Sequence, residues 1–419
     1  MGSRFRGNDE SFQFAAAFFN DSKNSKGTSL NMGDISRRAH NIAQLRELAR
    51  RRLPRAIWEF IERGTEDDLL TRRNVESLQT AQLLPRTLRD VSDRSTGIEL
   101  FGRHQPLPLV IAPTGVSDLL WYRGERAIAS AAASAGIPFT QTTSSTTSFA
   151  EIAKCATAGH WMQMYLWERR DLSWRVVDAA RENGADVLVL TVDTPMWPLR
   201  EFNKRAGMSN PVRPNATLVS DFLRRPSWFA SVIARYYLQG GLPQFANYPP
   251  EVGGKLTGTV SRVSNSASVC WTDVDELRRR WDGKLVIKGV LSAEDARIAL
   301  DHGVDGIAVS NHGGRNFDSS PPALDVLAGI VDAVGDRTTV LFDSGVRRGA
   351  DVIKALAIGA RAVLIGRATL YGCAAAGQAG ARHAIDLLAN EIDVAMAMVG
   401  VTRLDQLDRG YLVPGTFRG

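Results

Sequence analysis

Cysteine is scarce in this chain. Cys155, Cys270 and Cys373 are the only three in 419 residues, and they lie too far apart for a metal ribbon or a disulfide framework. They read as structural thiols of a reducing compartment, and no metal site is expected. No run of 18 or more apolar residues occurs, which excludes a transmembrane helix of the usual kind. Excess charge of one sign is small: 51 Lys and Arg against 45 Asp and Glu leave +6, too little in a chain of this length to imply a nucleic-acid partner. The first apolar run, PLVIAPTG, is not followed by G-x-G-x-x-G, so the dinucleotide fingerprint of a doubly wound sheet is missing.

What the chain does have is core-forming material, with 44% hydrophobic residues, ample for one large α/β barrel or two to three ordinary domains. Residues 1–31 are polar and poorly periodic, apart from Phe14 to Phe19. That stretch is short for a signal-peptide core, and no small-residue cleavage site clearly follows it. Residues 1–33 are therefore expected to be a disordered extension. Because Met32 precedes the first amphipathic helix, our working hypothesis is that translation starts there; residues 1–31 found in the intact mass of the native protein would refute it.

From Pro108 onward, short β-branched runs alternate with amphipathic stretches of helical length. Eight runs can be counted, at 108–115, 137–143, 161–166, 186–195, 285–290, 306–314, 338–345 and 362–368. Eight βα units predict a closed TIM (β/α)8 barrel over 108–412, with 413–419 as a tail. Residues 34–107 are expected to cap it, with helices across 34–75, a new one starting at Leu53-Pro54 and Gly64 ending it. Residues 196–267 form an excursion far longer than an ordinary βα connection.

Barrel chemistry sits at the C-terminal ends of the strands, while strand interiors are packed with branched apolar side chains. Here all eight ends carry polar, glycine or ionisable groups: Thr114-Gly115, Thr142, Gln163 with Tyr165, Thr191 with Asp193, Lys288, Ser310 with His312 and Arg315, Asp343 with Arg347, and Gly366-Arg367. Taken singly, each could be a turn or a cap; together they indicate an active-site ring. Gly345, Arg347, Gly366 and Arg367 fall where barrels build a phosphate site, so a phosphate-bearing ligand is implied; ordinary surface ion pairs are the alternative for the arginines. Of six histidines, His312 alone falls at a strand end. Asp193 is available to orient its ring and stabilise its protonated form, as a general base requires. Arg200 and Arg315 could clamp a carboxylate, and Lys288 could hold negative charge developing on a cofactor.

The strings LPRAIWEFIERGTED, APTG, MQMY, LTVDTP, VIKGVLSAEDA, SNHGGR, DSGVRRG and IGRATLYG resemble, in order, the FMN-dependent L-2-hydroxy acid dehydrogenase/oxidase family, over roughly residues 34 to 412. SNHGGR with DSGVRRG is highly specific, and IGRATLYG is most similar to the mandelate and bacterial lactate dehydrogenase branches. The resemblance implies FMN as cofactor and oxidation of a 2-hydroxy acid to the 2-oxo acid. His312 would abstract the proton with support from Asp193, Arg200 and Arg315 would bind the substrate carboxylate, and Tyr165 would hydrogen-bond the substrate. Lys288 would face the flavin; Thr114, Gly115, Thr142, Gln163, Thr191, Ser310 and Asp343 would contact it, and Gly345, Arg347, Gly366 and Arg367 would hold its phosphate. A homotetramer is also implied.

Two positions qualify this picture. Family members generally have a substrate-binding tyrosine where this chain has Phe60, so a donor to the substrate carboxylate is missing and a larger or more apolar acid is favoured. Gly115, where oxidases of the family often carry alanine, points toward an acceptor other than oxygen. No built-in haem acceptor is expected, so membrane quinone or a separate carrier is the expected acceptor. The excursion at 196–267 holds nine Lys and Arg against three Asp and Glu. Within it, RRPSWFASVIARYYLQGGLPQF resembles an interfacial anchor, while a lid packed on the barrel is the alternative. A cytoplasmic protein held at the inner face of the membrane through 222–248 is the resulting expectation. The competing functions are an oxygen-using oxidase, a peptide-modifying relative, a phosphate-binding aldolase or isomerase, which leaves SNHGGR unexplained, and a non-catalytic membrane-binding protein.

Overall fold

The computed structural model describes residues 32–208, 215–252, 254 and 265–418; residues 1–31 of the extension expected at 1–33 and part of the excursion lie outside the described residues, while Met32 and Gly33, expected to be disordered, open a helix whose Ile35 is fully buried. The eight β-branched runs form eight parallel strands, numbered here β1 (Leu109–Ile111), β2 (Phe139–Thr142), β3 (His160–Met164), β4 (Val187–Thr191), β5 (Lys284–Val290), β6 (Gly306–Val309), β7 (Thr339–Phe342) and β8 (Ala362–Ile365). They pair in sequence order, and β8 closes on β1 with Val363 opposite Leu109. The fold is the expected (β/α)8 barrel. Val110, Leu188, Ile307 and Val363 are fully buried, as the apolar filling of such a barrel demands.

Among the described residues, four helices precede the barrel: α1 (Met32–Arg38), α2 (Ile42–Arg52), α3 (Arg55–Glu62) and α4 (Leu69–Thr80). α3 begins just after Pro54, whose fixed φ suits a helix start. Gly64 does not end α3 by adopting a left-handed cap. The helix is already over at Glu62, and glycine is needed because a Cβ at position 64 would lie 2.3 Å from the carbonyl oxygen of Gly314. The cap thus presses directly on the loop after β6. Leu69 N and Leu70 N donate to Asp318 at 3.0 and 2.8 Å, and Thr65 N donates to Gly314 O at 3.2 Å.

The excursion packs one face of its helical run 226–238 on the barrel. Trp228 and Val232 are fully buried, Trp228 Nε1 donates to Leu119 O at 2.8 Å, and Arg52 Nη2 donates to Ser231 Oγ at 2.9 Å. Asp221 accepts from Arg55 N and Ala56 N at 2.9 and 2.8 Å, supplying the N-terminal cap that Pro54 cannot. Large apolar side chains stay open on the side away from the barrel: Tyr237 and Leu238 of this run are 63% and 74% exposed, and Leu223, at the end of the helix before it, is 66% exposed. The segment is therefore lid-like on one side and unburied on the other. No helix among the described residues is long and apolar enough to cross a membrane.

Candidate active site

The barrel register determines which polar side chains meet. Thr142 pairs with Gln163 across β2 and β3, and Thr191 with Lys288 across β4 and β5. Thr142 Oγ1 donates to Gln163 Oε1 at 2.8 Å and Gln163 Nε2 donates to Thr191 Oγ1 at 3.0 Å, a buried hydrogen-bonded chain across three strands. Lys288 is almost fully buried, an arrangement that needs a partner; its Nζ donates to Ser310 Oγ at 2.7 Å and lies 3.1 Å from Asp343 Oδ2.

His312 and Asp193 are brought together from β6 and β4, with Nδ1 3.1 Å from Asp193 Oδ1. Burial lowers the His312 pKa, Asp193 offsets part of that, and the charges of Lys288 and Arg200 add to the lowering. Burial works to raise Asp193, but His312 and Lys288 override it and hold the carboxyl below its ordinary range. Asp193 Oδ2 is buried and has no hydrogen-bond partner among the described residues. The ring sits in a backbone few side chains tolerate, because His312, Gly313 and Gly314 have φ of +58°, +65° and +76° in succession.

Several residues that sequence reasoning missed hold this turn. Asn311 Oδ1 accepts from Gly314 N at 3.2 Å, and Asn311 and Asn74 of α4 exchange amide hydrogen bonds at 2.9 and 2.7 Å. Ser344 Oγ accepts from Asn311 N and Gly313 N at 3.3 and 3.1 Å. Asn316 Nδ2 donates to Asp193 O at 2.9 Å and to Thr194 Oγ1 at 2.7 Å, tying the β6 loop to the β4 loop. Gly289 occupies a bulge at φ +106°, and a Cβ there would lie 2.7 Å from Asp193 Cβ. Asn311 stands inside the SNHGGR string, Ser344 inside DSGVRRG, and Gly289 follows Lys288, so all three were within sight; Asn74 carried no comparable signal.

Arg315 Nη1 donates to Arg63 O at 2.8 Å, and its guanidinium lies over the Phe60 ring, 5.4 Å from the centroid. Arg200 Nε donates to Arg315 O at 3.3 Å. Burial depresses the Arg315 pKa most, and the charges of Arg200 and Arg367 depress it further. Three guanidiniums that repel one another in a largely buried site are the donor set that an anion relieves. Burial first, then the Asp193 carboxylate, keep the Tyr165 phenol protonated.

The residues fit a phosphate-bearing flavin. Arg367 donates to Ile61 O at 3.1 Å and Gly313 O at 2.9 Å, yet its Nη2 is buried without a partner among the described residues. The helix that follows β8 starts at Arg367, so its unpaired N–H groups and dipole favour an anion there. A Cβ at Gly115 would meet nothing within 4 Å, which leaves space over the Thr114–Gly115 strand end. Arg347 lies beside Tyr371, 5.9 Å from its ring centroid. A Cβ at Gly345, φ +95°, would lie 2.7 Å from Asn74 O, so the approach of α4, and not only of an anion, demands glycine there.

The family described as FMN-dependent dehydrogenase matches residues 49–414. An L-lactate dehydrogenase of Caulobacter sp. (strain K31) is 40% identical over 373 residues, covering 88% of this chain and 96% of that one. The (S)-mandelate dehydrogenase of Pseudomonas putida is 37% identical over 380 residues, 90% of this chain and 95% of that one. Among solved structures, a monotopic membrane protein, (S)-mandelate dehydrogenase, superposes with a TM-score of 0.83 at 36% identity, covering 90% of this chain and 99% of that chain. Barrel, site geometry and relatives agree, and the chain belongs to the FMN-dependent dehydrogenase family.

Proposed function

We propose that this enzyme oxidises an L-2-hydroxy acid to the 2-oxo acid with FMN, and that its electrons leave to quinone or another carrier. The observation that carries the reading is the His312–Asp193 pair set beside the Arg200 and Arg315 guanidiniums. With Nδ1 engaged by Asp193, Nε2 is the nitrogen left to take the hydroxyl proton, and burial keeps the ring neutral until it does. The imidazolium formed is then paired with Asp193. Arg200 and Arg315 hold the carboxylate, Tyr165 orients the substrate, and Lys288 brings a buried positive charge to the flavin side. Bound FMN supplies the two-electron acceptor.

The relatives act on lactate and on mandelate by their names. Phe60 lacks a hydroxyl, and Met196, Trp197 and Phe317, just beyond Asp193 and Arg315, are 73%, 61% and 59% exposed. These residues favour the larger or more apolar acid. Anaerobic bleaching of the flavin by lactate, glycolate, mandelate and longer 2-hydroxy acids tests the proposal; a flavin bleached by none of them refutes it. The open apolar face at Leu223, Tyr237 and Leu238, together with a monotopic relative, supports peripheral attachment to a membrane, where quinone is found. A homotetramer is proposed from the family resemblance alone.

A further inference from the structure

The second half of the excursion reaches into the site. Residues 244–248 lie across the loop after β2: Ala246 N donates to Ser145 O at 3.0 Å, Asn247 Nδ2 donates to Thr147 O at 3.1 Å, and Asn247 Oδ1 accepts from Phe149 N at 3.0 Å. These bonds seat Tyr248. Its ring stacks on Phe245, centroids 4.9 Å apart, and meets Trp167 edge-on at 5.2 Å.

The Tyr248 hydroxyl lies 3.1 Å from Ser144 Oγ. Ser144 N in turn donates to Thr142 Oγ1 at 3.4 Å, the first member of the Thr142–Gln163–Thr191 chain at the strand ends. Tyr248 is also close enough to Tyr165 to contribute to the raised pKa of that phenol, after burial and the Asp193 charge. Two hydroxyls bonded to each other use one proton between them and leave one donor over. Neither the Tyr248 nor the Ser144 hydroxyl has another hydrogen-bond partner among the described residues. Phe60, under the Arg315 guanidinium, has no donor to offer.

We propose that Tyr248, seated by the excursion and paired with Ser144, is a specificity-determining residue of the substrate pocket, its hydroxyl pair donating to an oxygen of the bound acid beside Tyr165. This rests on the 2-hydroxy acid reading. It makes the excursion part of the site: the segment that packs on the barrel also supplies a donor that a barrel with an ordinary short loop after β4 could not.

The test uses the full-length, flavin-loaded enzyme and its Tyr248→Phe variant, which differ by one oxygen atom. Oxalate, a non-reacting dicarboxylate, is titrated against the flavin spectrum, and KM and kcat are measured with the best acid of the bleaching panel. Tyr248→Phe is expected to weaken oxalate binding and raise KM about 3- to 10-fold, the loss of one hydrogen bond, while kcat falls far less. Tyr248→Leu, which removes ring and hydroxyl together, must lose at least as much affinity. Unchanged oxalate affinity and KM in flavin-loaded Tyr248→Phe overturn the proposal, since a purely structural hydroxyl alters only stability. A wild-type flavin bleached by no acid in the panel overturns the hydroxy-acid reading, and this inference with it.

Discussion

In its proposed role as base, His312 must be neutral to take a proton, and its surroundings determine the pH at which that ends. Burial lowers its pKa first, Asp193 offsets part of this, and Lys288 and Arg200 add to the lowering. The acid limb of kcat/KM is therefore expected below the ordinary histidine value near 6.5. Asp193→Asn removes the one influence that raises the pKa, so the limb moves to still lower pH, and kcat drops by up to roughly 100-fold as ring orientation is lost. A pH–rate profile of both enzymes checks this; a limb displaced upward in the variant contradicts it. Phe60 makes a second prediction. Its ring lies under the Arg315 guanidinium, so Phe60→Tyr adds a donor beside the carboxylate clamp and should lower KM for lactate roughly tenfold, the effect of one hydrogen bond to a charged group. Unchanged or weaker lactate use would count against the placement. His312, Asp193 and Arg315 were legible in the sequence because strand ends are countable. Tyr248 was not, because a tyrosine inside a long aromatic excursion has nothing local to show that it turns toward β2 and β3.

The turn that carries His312 is held from two sides, by Asn74 of α4 and by Ser344 after β7. Three successive residues at positive φ, one of them a histidine, persist only where neighbours over-determine them. Asn74→Ala leaves the Asn311 amide short of a partner, at a cost of about 1–3 kcal/mol, and frees the loop. A melting temperature lower by a few degrees and a reduced kcat are both expected; wild-type values for both would show that α4 does not hold the base. For the excursion, deleting 222–248 is a poor test of membrane attachment, because it also removes buried Trp228 and the Tyr248 contact to Ser144. Changing Leu223, Tyr237 and Leu238 to serine alters the open face alone. Vesicle flotation should be lost with the melting temperature kept, and flotation equal to wild type would remove the anchor reading. The amphipathic pattern was visible in the sequence, but which face met the barrel was not, since tryptophan and tyrosine are as apt for a core as for an interface.

A buried carboxylate pair ties the barrel to its cover. Asp118 accepts from Glu125 N at 3.0 Å and from Thr146 Oγ1 at 2.7 Å, Glu125 accepts from Ser145 Oγ at 2.6 Å, and Tyr236 of the excursion lies against Asp118. Burial first, and then the charge of Asp118, push Glu125 up to about 8. The native state therefore keeps a proton that the unfolded chain releases at the ordinary carboxylate pKa. Its contribution to stability is fully present below that value and is lost as pH rises through about 8. Glu125→Gln should flatten the decline of melting temperature between about pH 5 and pH 8; a variant with the wild-type slope would place the titration elsewhere. The sequence by itself determined the barrel, the order of its strands and the ring of polar residues at their ends, because short, near-continuous β-branched runs that end in glycine or polar residues and alternate with helix-length amphipathic stretches are a local signal. Tertiary structure alone decided the rest. Asn74 grips the His312 turn, Gly289 makes room for Asp193, and the excursion both covers the barrel and delivers Tyr248; each of these depends on residues distant in the chain approaching within a few ångströms, and no local pattern encodes such contacts.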